Sequence, residues 1–334
     1  MSGIAVAGNA ILDQYKLIDT YPAASSLVSV RSVARTPGGL MCNCAIDLAR
    51  LDPSLRIPVV GVVGDDPDGD YLAGQLASYP GIDTSQLHRA GTTSFTDVME
   101  EWRTLTRSLF QYRGANAELD VEHVDFDRLD ANLLHAGYIL LLDRLDDTDD
   151  VYGTRMARLL ATARRHGLRT SVDVVSEQSD RFSRLVPPAL RYTDYCVLNE
   201  TEAARTTGIT IQDAGTINRS ALRRAAEALL GMGVSTWVVI HWPGGAVGLS
   251  RQGAWEERPS VRLRPDQIVT TTGAGDAFAA GVLYAAWSGA GLSDALELGT
   301  GAAACSLLAG SATDGVRSHH DVLAFYRDNP HHTL

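Results

Sequence analysis

Short apolar runs alternate with helical stripes along most of the chain. Ile4–Gly8, Ile57–Val63, Gly137–Leu142, Leu168–Val172, Asp194–Leu198 and Thr236–Ile240 read as buried strands, being brief, apolar and rich in β-branched residues. Between them Leu40–Leu51, Gly69–Ser78, Val151–His166 and Ser220–Leu230 carry helical spacing. In the last of these, Leu222, Ala225, Ala226, Leu229 and Leu230 share one face and Gly231 supplies a stop. Glu200–Thr207 opens a helix directly after a strand, and Asp276–Ser288, Ser293–Leu308 and His320–Arg327 close the chain with helices. Strands and helices in alternation predict an α/β domain with a mainly parallel sheet covered on both faces.

Two stretches break the alternation. Tyr21–Thr36 and Thr92–Tyr112 read as strands with no helix between them. In the second, Phe95, Asp97, Met99 and Glu101 fall out of phase with Thr96, Val98 and Glu100, so its two faces differ. Inserted at about 14–36 and 92–113 of a single domain spanning 1–334, they predict a small β-sheet lid. Its expected place is over the carboxyl ends of the main strands, where open α/β sheets bind ligands. Gln267–Val269 reads as one more short strand before a turn.

At 334 residues and 45% hydrophobic, the chain can bury a sizeable core. Its formal net charge of −11 argues against a general nucleic-acid or membrane-surface binder, both of which need a basic face, but leaves room for a small anionic substrate. No apolar run approaches the roughly 20 residues of a membrane span. The start of the chain reads as a strand and not a signal peptide, so a cytoplasmic protein is expected. The 4 cysteines show no metal-binding spacing. Lys16 is the sole lysine and no Gly-Lys-Ser/Thr tripeptide exists, which excludes a Walker-A loop. Phosphate, if bound, must meet backbone amides, arginine or metal.

The most specific local signal is Thr270-Thr-Thr-Gly-Ala-Gly-Asp276 running into a helix. Amides of Gly273, Ala274 and Gly275 at a helix N-terminus favour an anion, and the glycines admit a close phosphate. A carboxylate there, Asp276, gains proton affinity beside a phosphate and suits a general base; the plainer reading is a helix cap with turn-forming glycines. Gly38-Gly39 precedes a helix bearing Asn43, whose amide suits a polyol or simply a solvated turn, and Asp13 suits sugar hydroxyls or a solvated loop. Asn199 and Glu202 form a capping-box pattern, or else hold a hydrated Mg²⁺ at a strand's carboxyl end. The histidines lack zinc-site companions, and no G-x-S-x-G elbow is present.

In this order along the chain, Gly8-Asn9 with Asp13, Gly38-Gly39…Asn43, Gly61-Val-Val-Gly-Asp-Asp66, Arg113-Gly-Ala-Asn116, Asn199-Glu-Thr-Glu202 and Thr271-Thr-Gly-Ala-Gly-Asp276 resemble the PfkB, or ribokinase-like, carbohydrate kinases. The resemblance implies a three-layer α/β/α sandwich with a β-sheet lid and transfer of the γ-phosphate of ATP to a monosaccharide hydroxyl. By the same resemblance, Asp276 is the base, and Gly273, Ala274 and Gly275 hold the migrating group. Asp13, Gly38, Gly39, Asn43 and Arg113 hold the sugar. Asn199, Thr271, His241, Gly244 and Gly245 line the nucleotide site, and Glu202 with Asn199 organises Mg²⁺ through water. A homodimer paired through the lid strands is the expected assembly. A neutral ribose- or fructose-like acceptor is the first expectation. An acidic sugar of the 2-keto-3-deoxygluconate kind or a nucleoside is the alternative, and a non-catalytic sugar sensor ranks below both. Thr270 stands where the family carries an Asp that helps bind a monovalent cation, which puts potassium activation in question.

Overall fold

The computed structural model describes every residue except Met1, Leu105, Gln178 and Ala214. Nine strands form one sheet, in the order Trp255–Pro259, Gly245–Ser250, Trp237–Trp242, Tyr195–Asn199, Arg169–Val174, Ala131–Ile139, Gly3–Gly8, Ile57–Val63 and Ile82–Arg89. Pairing is parallel from Trp237–Trp242 onward, and the first two strands are antiparallel additions at one edge. The period-two alternation of Gly3–Gly8 splits the core: Ile4 and Val6 face one helical layer, Ala5 and Ala7 the other. Helices Gly39–Leu51, Ala274–Ser288 and Leu292–Ser306 cover the first face, and Arg155–Arg165, Phe182–Leu190 and Arg219–Gly231 the second. This is the α/β sandwich that alternation predicts.

A separate four-stranded sheet has the order Val30–Gly38, Ile11–Ile18, Phe95–Glu101, Arg107–Tyr112. Ile11–Ile18 follows the main-sheet strand Gly3–Gly8 after two intervening residues and pairs parallel with Phe95–Glu101, placing Asp13 opposite Thr96 and Tyr15 opposite Val98. Arg107 lies opposite Glu100. One lid face therefore carries Asp13, Tyr15, Thr96, Glu100 and Arg107, and the other carries Lys16, Asp97, Phe110 and Tyr112.

Several boundaries differ from the periodicity. The strand expected at Gly137–Leu142 runs instead over Ala131–Ile139. Its polar members, Asn132 and His135, obscured it; His135 is fully buried, its Nδ1 3.1 Å from Ser171 Oγ. Leu140 then turns the chain with a φ of 84°, which ends any strand. The Tyr21–Thr36 strand begins only at Val30, and the lid's central strand, Ile11–Ile18, lay outside the expected lid stretches over its first residues. Gln267–Val269 is no strand, because Pro265 opens a single 3₁₀ turn over Pro265–Gln267. The helix expected from Val151 starts at Arg155, where Thr154 Oγ1 accepts from Ala157 N at 3.1 Å.

Two helices that frame the site touch through glycine. A Cβ on Gly281 would lie 2.8 Å from both Gly299 Cα and Leu298 O. Gly281→Val should cost about 1–3 kcal/mol through overpacking. Urea unfolding would report this as a lower midpoint, and an unchanged midpoint would contradict the close packing.

Candidate active site

The carboxyl ends of the central strands and the start of helix Ala274–Ser288 meet beneath the lid. Asp276, on the first turn of that helix, is 5% exposed. Its Oδ2 accepts from Asn43 Nδ2 at 2.9 Å and its Oδ1 from the Tyr138 hydroxyl at 2.5 Å. Asn43 and Asp276 lie 233 positions apart in the chain. Burial raises the Asp276 pKa above the ordinary carboxylate value, and the two hydrogen bonds pull against that rise.

Glycine makes this approach feasible at three points. Gly39 opens the Asn43 helix at φ 79°, with space for a Cβ closed by Asn9 O at 2.6 Å. A Cβ on Gly38 would fall 2.2 Å from Asp13 Oδ2, so Gly38 gives the Asp13 carboxylate its room. Gly273 holds φ 82° against Ala312, and no side chain caps the helix behind it. The amides of Gly273, Ala274 and Gly275 are thus presented at a positive helix end. Over Gly275 there is open space, since a Cβ would meet nothing nearer than His241 Cε1 at 3.9 Å.

Asp13 is 9% exposed, and its pKa is raised to about 7, mainly by burial and further by the Asp276 charge, against a lowering hydrogen bond from Thr96. Asn199 and Glu202 form the reciprocal cap: Asn199 Oδ1 accepts from Glu202 N, and Glu202 Oε2 from Asn199 N, both at 2.9 Å. Glu202 Oε1 also accepts from Ser176 Oγ and Asn199 Nδ2, both at 2.8 Å. Burial lifts the Glu202 pKa to about 7. Asp173, absent from the sequence expectations, is raised well above the usual range by burial and by the Glu202 and Asp276 charges. Its signal was there to find: a carboxylate near the end of the otherwise uncharged run Thr170–Val175. Tyr138 lies inside the strand expected at Gly137–Leu142, but its contact with Asp276, 138 positions away, has no local signal.

A cavity of about 1020 Å³ adjoins the helix start. Asn199, Thr271, His241, Gly244 and Gly245 all line it, together with Ala274 and Gly275. Trp242, Phe278 and the end of the chain, His332–Leu334, complete its walls. His241 packs on Phe278 at 4.5 Å between ring centroids, and burial pushes its pKa down to about 4, leaving it neutral at pH 7. The Asp276 carboxylate is not part of this cavity's lining; it faces Asn43 and Tyr138 on the lid side, while its neighbour Gly275 belongs to the cavity. Arg113, expected at the sugar, donates from Nη1 to Leu140 O at 3.0 Å and to Asp143 Oδ1 at 2.8 Å. Arg181 Nη2 donates to the same carbonyl at 2.8 Å, so the two arginines brace the turn that follows Tyr138.

The pfkB family carbohydrate kinase model matches residues 1–318. The chain belongs to that family. Over 287 residues it is 25% identical to a 5-dehydro-2-deoxygluconokinase of Geobacillus thermodenitrificans, covering 84% of this chain and 80% of the relative. The Arabidopsis thaliana ribokinase solved with ribose and ATP superposes with a TM-score of 0.81 at 20% identity, covering 98% of this chain and 99% of that one. An Escherichia coli chain assigned as ribokinase II, solved with ATP and Mg²⁺, gives 0.75 at 17% identity over 98% of this chain and 100% of its own. The fold is ribokinase-like. Among the described residues, no helix is long and apolar enough to cross a membrane.

Two outcomes follow from the glycines and the buried acid. Gly275→Ala should fold with an unchanged melting temperature yet lose about 10²-fold in turnover by filling the space before the amides, whereas Gly273→Ala should also melt earlier. Equal turnover in wild type and Gly275→Ala would contradict the cradle. Folded Asp13 binds its proton more tightly than an unfolded aspartate does, so wild type loses stability as pH rises from about 4 to about 7. Asp13→Asn escapes that loss and should melt higher than wild type at pH 8, by an amount on the order of a few kcal/mol that vanishes toward pH 4. Parallel melts across pH check it, and no gap at pH 8 would contradict the buried charge.

Proposed function

We propose that this carbohydrate kinase transfers the γ-phosphoryl group of ATP to a hydroxyl of a monosaccharide, with Asp276 as general base. The observation that carries the reading is the buried Asp276 carboxylate beside an uncapped, glycine-lined helix start, with a large cavity on one side and the lid on the other. The acceptor oxygen attacks the γ-phosphorus and the bond to the bridging oxygen breaks, its electron pair leaving on ADP. Asp276 takes the hydroxyl proton, while the Gly273, Ala274 and Gly275 amides meet the charge on the transferring oxygens. Asp13, Gly38, Gly39 and Asn43 position the acceptor. The cavity walls formed by Thr271, His241, Gly244 and Gly245 take the nucleotide.

Magnesium, when bound, draws charge off the phosphates. Among the described residues, no group of three or more His, Cys, Asp or Glu is placed to hold a metal ion. Glu202 already accepts three hydrogen bonds from the chain, so it, Asn199 and Asp173 fit a cation reached through its water shell. No monovalent-cation role is assigned at Thr270.

A neutral sugar of the ribose or fructose kind is the first reading for the acceptor. The hydroxyl-binding groups Asp13 and Asn43 support it, as does the engagement of Arg113 with Leu140 and Asp143. The similarity to a 5-dehydro-2-deoxygluconokinase favours an acidic keto-sugar as the second reading. A panel of neutral and carboxylate-bearing acceptors with ATP and Mg²⁺ separates the two. The exposed apolar side chains Val33, Phe110 and Tyr112 on the lid's outer face support pairing of two copies there, and four buried, unpaired cysteines suit a reducing, cytoplasmic setting.

Asp276→Asn keeps the shape and removes the base. Turnover should fall about 10³-fold or more while ATP binding by calorimetry stays within about 3-fold. Near-normal ADP formation in this variant would refute the assignment.

A further inference from the structure

Asp47 is a buried acid that phosphoryl transfer leaves without a task. It lies within helix Gly39–Leu51, fully buried, and among the described residues neither of its oxygens has a hydrogen-bond partner. Buried polar groups are nearly always partnered, and a carboxylate stripped of water and left unpaired takes up a proton instead. Arg50, three residues on, gives its Nη2 to Asp314 Oδ1 at 2.8 Å and to the Tyr79 hydroxyl at 3.3 Å. Its Nε is buried without a partner, so Arg50 gives Asp47 no hydrogen bond. The Arg50 charge favours ionisation, but burial and the charges of Asp276 and Asp314 outweigh it and hold the Asp47 pKa well above the ordinary range. Cys44, on the same helix, is a thiol kept neutral by its own burial. Tyr284 donates to Asp52 at 3.1 Å and His135 is joined to Ser171, so neither serves Asp47.

A second orphan lies on the same helix face. Asn43 precedes Asp47 by one turn; its Nδ2 is given to Asp276 Oδ2, and its Oδ1 is buried with no partner among the described residues. Helical side chains lean toward the N-terminus of their helix, so the Asp47 carboxyl leans toward Asn43. Two bare acceptors cannot satisfy each other, but an acid O–H and an amide carbonyl can. An amide has a donor edge and an acceptor edge, so Asn43 suits one charged acid and one neutral acid, and not two charged ones. Their surroundings decide which is which. Asp276 sits at a positive helix end with Asn43 and Tyr138 donating to it, whereas Asp47 sits inside a helix with no donor.

We propose that Asp47 is the neutral counterpart of Asp276: its acid O–H donates to Asn43 Oδ1 and holds the amide with Nδ2 turned to Asp276. The proposal rests on the reading of Asp276 as the base. Asp47 is a positioning residue, acting on that base through Asn43 and touching no substrate. With Asp47 removed, the amide is free to turn its carbonyl toward Asp276. That withdraws a donor from the charged form of the base and raises its proton affinity.

The pH dependence of kcat in the full-length protein tests this with Asp47→Ala, Asp47→Asn and Asp276→Asn side by side, using ATP, Mg²⁺ and the best acceptor of the panel. The acid limb reports ionisation of the base in the bound complex. Asp47→Ala should lose about 10–10²-fold in kcat with KM for ATP within about 3-fold, and its acid limb should move to higher pH. Asp47→Asn, whose amide N–H replaces the acid O–H, should recover kcat to within about 5-fold of wild type and leave the acid limb in place. The infrared difference between wild type and Asp47→Asn at neutral pH should show the C=O band of a protonated carboxyl, shifting in heavy water. Absence of that band would overturn the proposal. So would an acid limb moved to lower pH in Asp47→Asn, since it would show that Asp47 is charged in wild type. Unchanged kcat and acid limb in Asp47→Ala, with Asp276→Asn inactive, would overturn the role of Asp47 and leave the site reading standing. Active Asp276→Asn would overturn the site reading itself. If Asp47→Ala melts early, Asp47→Leu carries the same readouts with the side-chain bulk kept.

Discussion

A carboxylate taken out of water must find donors or give up its charge, and the site is organised around one that has found two. Asp276 lies at the positive end of a helix, with Asn43 on one oxygen and Tyr138 on the other. Those two partners come from elements far apart in sequence: the helix after the early diglycine and the end of a central strand. Each is fixed in turn. Asn9 Oδ1 accepts from the Tyr138 amide at 2.6 Å, while Arg113 and Arg181 hold the turn that follows. Burial raises the proton affinity of Asp276, and the two hydrogen bonds pull against that rise.

The rest of the architecture serves that balance. Stiff parallel strands deliver their polar tips, Tyr138, Asp173 and Asn199, to one edge. Glycines remove side chains at the places where backbone or carboxylate must approach: Gly38 beside Asp13, Gly39 beside Asn9, Gly273 beside Ala312. The lid adds Asp13 and Arg107 from above. Water exclusion follows from this closure and matters for any transfer of a phosphoryl group to an alcohol in place of water.

Much of this was legible in the chain. Alternation of period 2 and 3.6 gave the sandwich, because strands buried on both faces carry near-continuous apolar runs. The glycine-rich turn before Asp276 and the capping pattern of Asn199 and Glu202 were readable because their chemistry is local in sequence. What escaped was non-local or masked by burial. His135 made the first half of a core strand look interrupted, and Tyr138, inside the expected strand, gave no local sign of its partner Asp276 138 positions on. Arg107 looks like any edge-strand charge until the register with Glu100 aims it at Thr270 and Thr272. Arg113 invited a ligand role, yet its partners are Leu140 and Asp143, which no spacing foretells.

The most direct test of the central claim is a crystal structure with a sugar acceptor and a non-hydrolysable ATP analogue bound together. The account predicts an acceptor hydroxyl within about 3 Å of an Asp276 carboxylate oxygen, and terminal phosphate oxygens facing the Gly273, Ala274 and Gly275 amides. An acceptor seated away from Asp276, with that carboxylate still closed off by Asn43 and Tyr138, would contradict it.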